Sequence, residues 1–153
     1  MGSGYHGGFG NTQAAVSASA SSTFVGNGSG EALKNYASKI KPEPGFTDVV
    51  IHGTENDVQY LHNGKWEHLD QRRLSTMLKH DSGYQSGPIR LISCSTGKAT
   101  HGFAQNLANK MGVPVMAPSD TLWVYPNGKT VIGPSQQKNT GSWITYYPNG
   151  KKG

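Results

Sequence analysis

Phe46-Thr47-Asp48-Val49-Val50-Ile51-His52-Gly53 and Ile89-Arg90-Leu91-Ile92-Ser93-Cys94-Ser95 decide the reading of this chain. Each is a short, largely β-branched apolar run, the pattern of a strand buried on both faces. Each stops abruptly at a reactive side chain, His52 in the first and Cys94 in the second. Cys94 is the only cysteine, so neither a disulfide nor a multi-cysteine metal site accounts for it. A thiol at the end of one buried strand and a His-Gly at the end of another is how an α/β sheet presents a nucleophile and its base.

Around these two strands the elements follow from periodicity. Glu31 to Ile40 spaces Leu33, Tyr36, Ala37 and Ile40 at helical intervals, and Pro42-Glu43-Pro44-Gly45 ends the run. Val58 to Leu61 and Lys65 to His68 flank His62-Asn63-Gly64, and an Asn-Gly between strand-like runs signals a hairpin. Asp70 to Lys79 reads as a helix capped by Asp70, with Leu74, Met77 and Leu78 on its apolar face. Thr100 to Met111 reads as a second helix, with Phe103, Leu107 and Met111 on one side and Gly112 as its C-cap. Val113 to Ala117 is a third short strand. Tyr-Pro-Asn-Gly-Lys then occurs twice, at 125–129 and 147–151. The first copy turns a hairpin into Thr130-Val131-Ile132, and the second closes a terminal strand. The expected architecture is α/β: a central, mostly parallel sheet with flanking helices and antiparallel hairpin additions.

Composition divides the chain at about residue 30. Residues 1–30 are rich in Gly, Ser, Ala, Thr and Asn and read as a flexible leader or linker, because such a segment buries too little apolar surface to offset its ordering entropy. Residues 31–153 are expected to form a single α/β catalytic domain. Over the whole chain hydrophobic residues are 34%, with 21 Gly and 8 Pro, and the leader carries much of that bias. The net charge of +5 is spread without long Lys/Arg runs, so nucleic acid is not the expected partner. No apolar stretch reaches the length of a membrane span, and a membrane is not expected either.

Chemistry concentrates on the paired strand ends. A thiol at neutral pH is mostly protonated and needs a neighbouring base to act as a nucleophile. His52 supplies one if the two strands are neighbours, and the forty-two residues separating it from Cys94 leave room for a hairpin and a crossover helix. Gly53 leaves its N–H unobstructed, and the N–H of Cys94 sits at a strand-to-loop turn; two such donors make an oxyanion hole for acyl transfer. Glu55 and Asp57, just past His52, either orient its imidazole or stand as solvated loop charges. His62, His68, His80 and His101 read as surface histidines. The histidines lack the spacing of a metal-binding set, Gly97-Lys98 lacks that of a phosphate-binding loop, and no Gly-x-Ser-x-Gly elbow surrounds Ser93 or Ser95. No metal and no cofactor is expected.

A hydrophobic strand ending in His-Gly, followed some forty residues on by one ending in Cys, resembles the caspase-like cysteine peptidases. The resemblance covers about residues 46–118. It implies Cys94 as nucleophile, His52 as general base and acid, and the backbone of Gly53 as oxyanion donor. Ser93 and Ser95, on either side of the thiol, are candidate substrate contacts, as are Asp120 and Trp123 past the third strand, where caspase-like enzymes build part of the cleft; Asp120 reads equally as a turn residue and Trp123 as a core aromatic. Ile92-Ser93-Cys94-Ser95-Thr96-Gly97 departs from the Gln-Ala-Cys-x-Gly of eukaryotic caspases, so neither the substrate pocket nor an acidic cleavage preference carries over. Residues 91–134 also resemble the C-terminal effector domains of bacterial polymorphic toxins. That likeness implies delivery as part of a larger secreted toxin, action in the target-cell cytoplasm, a protein substrate and a cognate immunity protein. The expected function is thus a cysteine hydrolase, a peptidase first. A glutamine deamidase or transglutaminase-like acyl transferase shares the dyad, and a nuclease toxin or non-catalytic binding module stands as the alternative of another class.

Overall fold

Four-residue apolar runs too short for helices pair into the central sheet of the molecule. The computed structural model describes residues 40–148 apart from 42, 63–64, 82–83, 85 and 126–127. The expected leader, all but the last residue of the helix expected over 31–40, and the second Asn-Gly turn lie outside the described residues.

Strand β1 (Thr47–Val50) is followed by β2 (His52–Gly53), β3 (Val58–His62), β4 (Lys65–Leu69) and helix α1 (Gln71–Asp81). Next come β5 (Ile89–Ile92), helix α2 (Phe103–Met111), β6 (Val115–Pro118), β7 (Leu122–Val124), β8 (Thr130–Ile132) and β9 (Trp143–Tyr146). The main sheet has the order β1-β5-β6-β9. β1 and β6 both run parallel to β5, and β9 closes the edge antiparallel to β6. β2-β3-β4 form a three-stranded antiparallel sheet and β7-β8 a separate hairpin. The fold class is therefore α/β with a mixed sheet, parallel at its centre and antiparallel in its additions.

The helices keep their expected places. Asp70 caps α1, its Oδ1 accepting the Arg73 N–H at 2.9 Å. α2 starts at Phe103 rather than Thr100, because the Phe103 N–H is drawn to the Glu55 carbonyl at 2.9 Å and the chain before it turns. Gly112 ends α2 in the left-handed region, φ +72°, which a glycine adopts without steric cost. The helices pack against each other, and α2 also lies on β6 and β9. Val49, Leu91, Leu74, Leu78, Phe103, Leu107 and Tyr146 are all buried in one core. Each large apolar side chain there contributes on the order of 1.5–3 kcal/mol.

Two charges interrupt the apolar strands. Asp48 and Arg90 stand opposite each other in the β1/β5 register and are buried. The Arg90 guanidinium donates to both Asp48 oxygens at 2.7 Å, from Nε and Nη2, and Nη2 also donates to the Lys41 carbonyl at 3.0 Å. The guanidinium lies 5.4 Å from the centre of the Trp143 ring, so β1, β5 and β9 meet around one cation. Fork-to-carboxylate pairing satisfies both charges and fixes the register of β1 on β5. Removing one partner strands the other without water. Asp48→Ala is expected to cost roughly 3 kcal/mol, and Asp48→Leu with Arg90→Met to regain most of it. Urea unfolding measures both; a loss below about 1 kcal/mol for Asp48→Ala contradicts the assignment.

Candidate active site

Chemistry in a parallel sheet gathers beyond the carboxyl ends of its strands, and that end of this sheet carries a cleft of about 330 Å³. Three chain segments line it. Gly53, Thr54 and Glu55 come from the end of β2 and the loop after it, Cys94, Ser95 and Lys98 from the loop after β5, and Thr121 from the turn after β6.

The ends of the two strands meet where Gly53 abuts the Cys94 carbonyl. Parallel pairing runs from Thr47 opposite Ile89 to Val50 opposite Ile92, and the Ile51 N–H continues it with a 3.1 Å bond to the Ile92 carbonyl. Two residues further the same register reaches His52 and Cys94. There the first strand swings out of the main sheet to pair with β3, His52 opposite Gln59 and Gly53 opposite Val58. A Cβ on Gly53 would stand 2.9 Å from the Cys94 carbonyl oxygen and 2.6 Å from Thr96 Cγ2. Only a glycine permits this approach, which explains the His-Gly pair in terms of packing.

The turn that carries Cys94 is fixed on every side. Ser95 has φ +59°, the one non-glycine residue with positive φ among those described. Its N–H donates to the Asp120 carbonyl at 3.0 Å, and the Gly97 N–H donates to the Pro118 carbonyl at 2.9 Å, tying the loop to the end of β6. Buried Ser93 and Thr96 share a 2.7 Å hydroxyl bond across the turn. The Tyr146 hydroxyl, arriving from β9, donates to the Gly97 carbonyl at 2.7 Å. A left-handed non-glycine residue persists only where its surroundings over-determine it, and these four bonds do so.

His52 is 2% exposed and Cys94 5%. Cys94 lines the cleft, whereas His52 lies one residue behind the cleft-lining Gly53. Burial disfavours the imidazolium and pushes His52 down from 6.5 to about 4, so the ring is neutral at physiological pH. A neutral imidazole accepts a proton; it does not hold a thiolate as a standing ion pair.

The remaining expected residues divide. Ser95 lines the cleft, but Ser93 is buried beneath it with its hydroxyl committed to Thr96. Asp120 is turned to its own backbone, its Oδ1 accepting the Thr121 N–H at 2.7 Å. Its contribution to the site is the carbonyl that holds Ser95. Trp123 sits on β7, its indole N–H donating to the Gly133 carbonyl at 2.8 Å, and does not line the cleft. Asp57 is engaged by the Thr54 hydroxyl and His68 Nδ1, and Glu55 reaches the cleft wall. Thr54, Lys98 and Thr121 were not singled out by motif. Their signal was positional, since each follows the carboxyl end of a strand.

Among the described residues no group of three or more His, Cys, Asp or Glu is arranged to hold a metal ion, and no helix is long and apolar enough to cross a membrane. The buried His52 makes stability depend on pH with a definite sign. Between pH 6.5 and about 4 the unfolded chain binds a proton at His52 that the native protein refuses, so stability falls as pH falls through that window. The full loss is about 3 kcal/mol, and His52→Gln is expected to flatten it. Urea unfolding at pH 7 and pH 4.5 checks this, and equal pH dependence in both proteins contradicts it. No curated protein and no solved structure matches the chain. One family model does, over residues 20–132, which span well over half of the chain and take in the cleft and both reactive strand ends. The chain belongs to the family that this model defines, described as a domain of unknown function (DUF8616).

Proposed function

We propose that this domain is a cysteine hydrolase acting on protein substrates, with Cys94 as nucleophile and His52 as the group that takes and returns its proton. One observation carries the reading: Cys94 opens into a cleft at the carboxyl end of a parallel strand, and the His52-Gly53 end of the neighbouring strand is packed against its backbone. Support also comes from the fixed turn around Ser95, since a nucleophile held in one geometry loses little entropy on reaching the reacting complex.

In this reading the resting dyad is a thiol beside a neutral imidazole. As Cys94 Sγ bonds to the acyl carbon, its proton passes to His52, which then delivers it to the departing amine. Water attacks the resulting thioester, the acid product leaves, and the thiol is restored. Gly53, packed against the Cys94 carbonyl, is the proposed oxyanion donor, and Ser95 and the walls of the cleft contact the substrate. The Ser95 N–H is already committed to Asp120 and is not that donor.

The caspase-like assignment rests on the order of the two reactive strands and their parallel pairing, together with the sequence resemblance. The effector role rests on the resemblance of residues 91–134 alone, and with it come the larger toxin and the immunity partner. Expression of the chain in a bacterial cell tests activity. Growth arrest, with new fragments among cellular proteins, is expected from the native chain and is expected to vanish in Cys94→Ala. Intact-mass analysis separates chain cleavage from deamidation, which shifts mass by about one dalton through the same acyl-enzyme step. Undiminished activity in Cys94→Ala overturns the reading.

A further inference from the structure

The cleft beside the thiol holds two opposite charges that leave each other alone. Glu55 and Lys98 both line it, on the loops that follow the His52-Gly53 and Cys94 strand ends. Among the described residues neither side chain enters an ion pair or a side-chain hydrogen bond, whereas nearby Asp57 is committed to Thr54 and His68. The remaining side chains on the wall, Thr54, Ser95 and Thr121, are neutral hydroxyls. With a volume of about 330 Å³, the cleft is near the lower end of ligand pockets and takes a single side chain.

A guest of either charge is poorly served there. An acidic side chain gains Lys98 but meets Glu55, and a basic one gains Glu55 but meets Lys98. An apolar side chain covers both charges and returns no hydrogen bond to either. A carboxamide answers both at once, because its NH2 donates to a carboxylate and its carbonyl oxygen accepts from an ammonium. Resting on the hydrolase reading, we propose that the Cys94 cleft selects glutamine or asparagine as the residue whose acyl carbon is attacked. Glu55 and Lys98 bind its amide end. The bond broken is the peptide bond that follows: Cys94 Sγ forms the thioester, the peptide nitrogen leaves as an amine with the proton from His52, and water completes hydrolysis to the free acid.

Two measurements test this, and the first needs no turnover. Iodoacetamide carries the carboxamide itself and iodoacetate is its acidic counterpart, so the ratio of their rates at Cys94, read by intact mass, reports the charge felt in the cleft. Glu55→Gln is expected to favour iodoacetate by roughly fivefold, and Lys98→Gln to disfavour it by a similar factor. A ratio unmoved in both variants overturns the proposal and leaves the hydrolase reading standing. The second is a peptide library varied at one position. Cleavage that depends on Cys94 is expected after Gln and Asn, moving toward acidic residues in Glu55→Gln and toward basic residues in Lys98→Gln. Cys94-dependent cleavage that favours a charged residue in the native protein overturns the specificity alone. A library left uncut while the native protein fragments nothing in cells overturns the hydrolase reading, and the proposal with it.

Discussion

Val50 stands opposite Ile92 in a parallel pair, and the bond from the Ile51 N–H to the Ile92 carbonyl extends that pairing to the point where the first strand leaves the sheet. This register is the constraint on which the rest of the site depends. A slip of one residue would send Asp48 away from Arg90 and turn every apolar side chain of β1 to the wrong face. It would also separate the His-Gly end from the Cys94 turn. The Asp48–Arg90 fork guards against the slip, because only one register lets two buried charges neutralise each other. The geometry of the cleft at one end of the strand pair is thus held by an ion pair within it.

Past Ile92 the sheet gives way to a turn that no single element would hold. The end of β6 supplies the Pro118 carbonyl and the loop after it the Asp120 carbonyl, β9 supplies the Tyr146 hydroxyl, and the Ser93–Thr96 bond closes the turn on itself. Gly53 supplies the absence of a side chain where backbone meets backbone. Four parts of the chain, far apart in sequence, converge on one thiol. Such convergence is costly in ordering entropy and follows from a fold in which every parallel strand ends on the same side.

Much of this was legible in the residues. The two strands were marked by β-branched runs, α1 by its Asp70 cap and α2 by Gly112, and the two strand ends by His52-Gly53 and Cys94. These are local signals, set by side-chain shape and backbone freedom over a few positions. What the residues hid was the result of long-range pairing. The departure of His52 into a second sheet depends on Gln59 and Val58 being available as partners. Asp48 and Arg90 interrupt their apolar runs, and only the pairing of the two strands sets them opposite each other. Ser93 and Ser95 are two residues apart and chemically alike, yet one is buried against Thr96 and the other faces the cleft, and only the sharp turn at φ +59° separates them. Asp120 and Trp123 followed the right strand, but a backbone N–H claims the carboxylate of the first and a carbonyl claims the indole of the second.

The central claim is that a buried, neutral imidazole and the thiol at the neighbouring strand end form one chemical unit. An NMR titration of the His52 ring, in the native protein and in Cys94→Ser, tests it most directly. Burial predicts that His52 titrates near pH 4, and coupling predicts that its resonances and midpoint move when the thiol becomes a hydroxyl. A midpoint at the ordinary 6.5, with resonances indifferent to Cys94, would contradict the account.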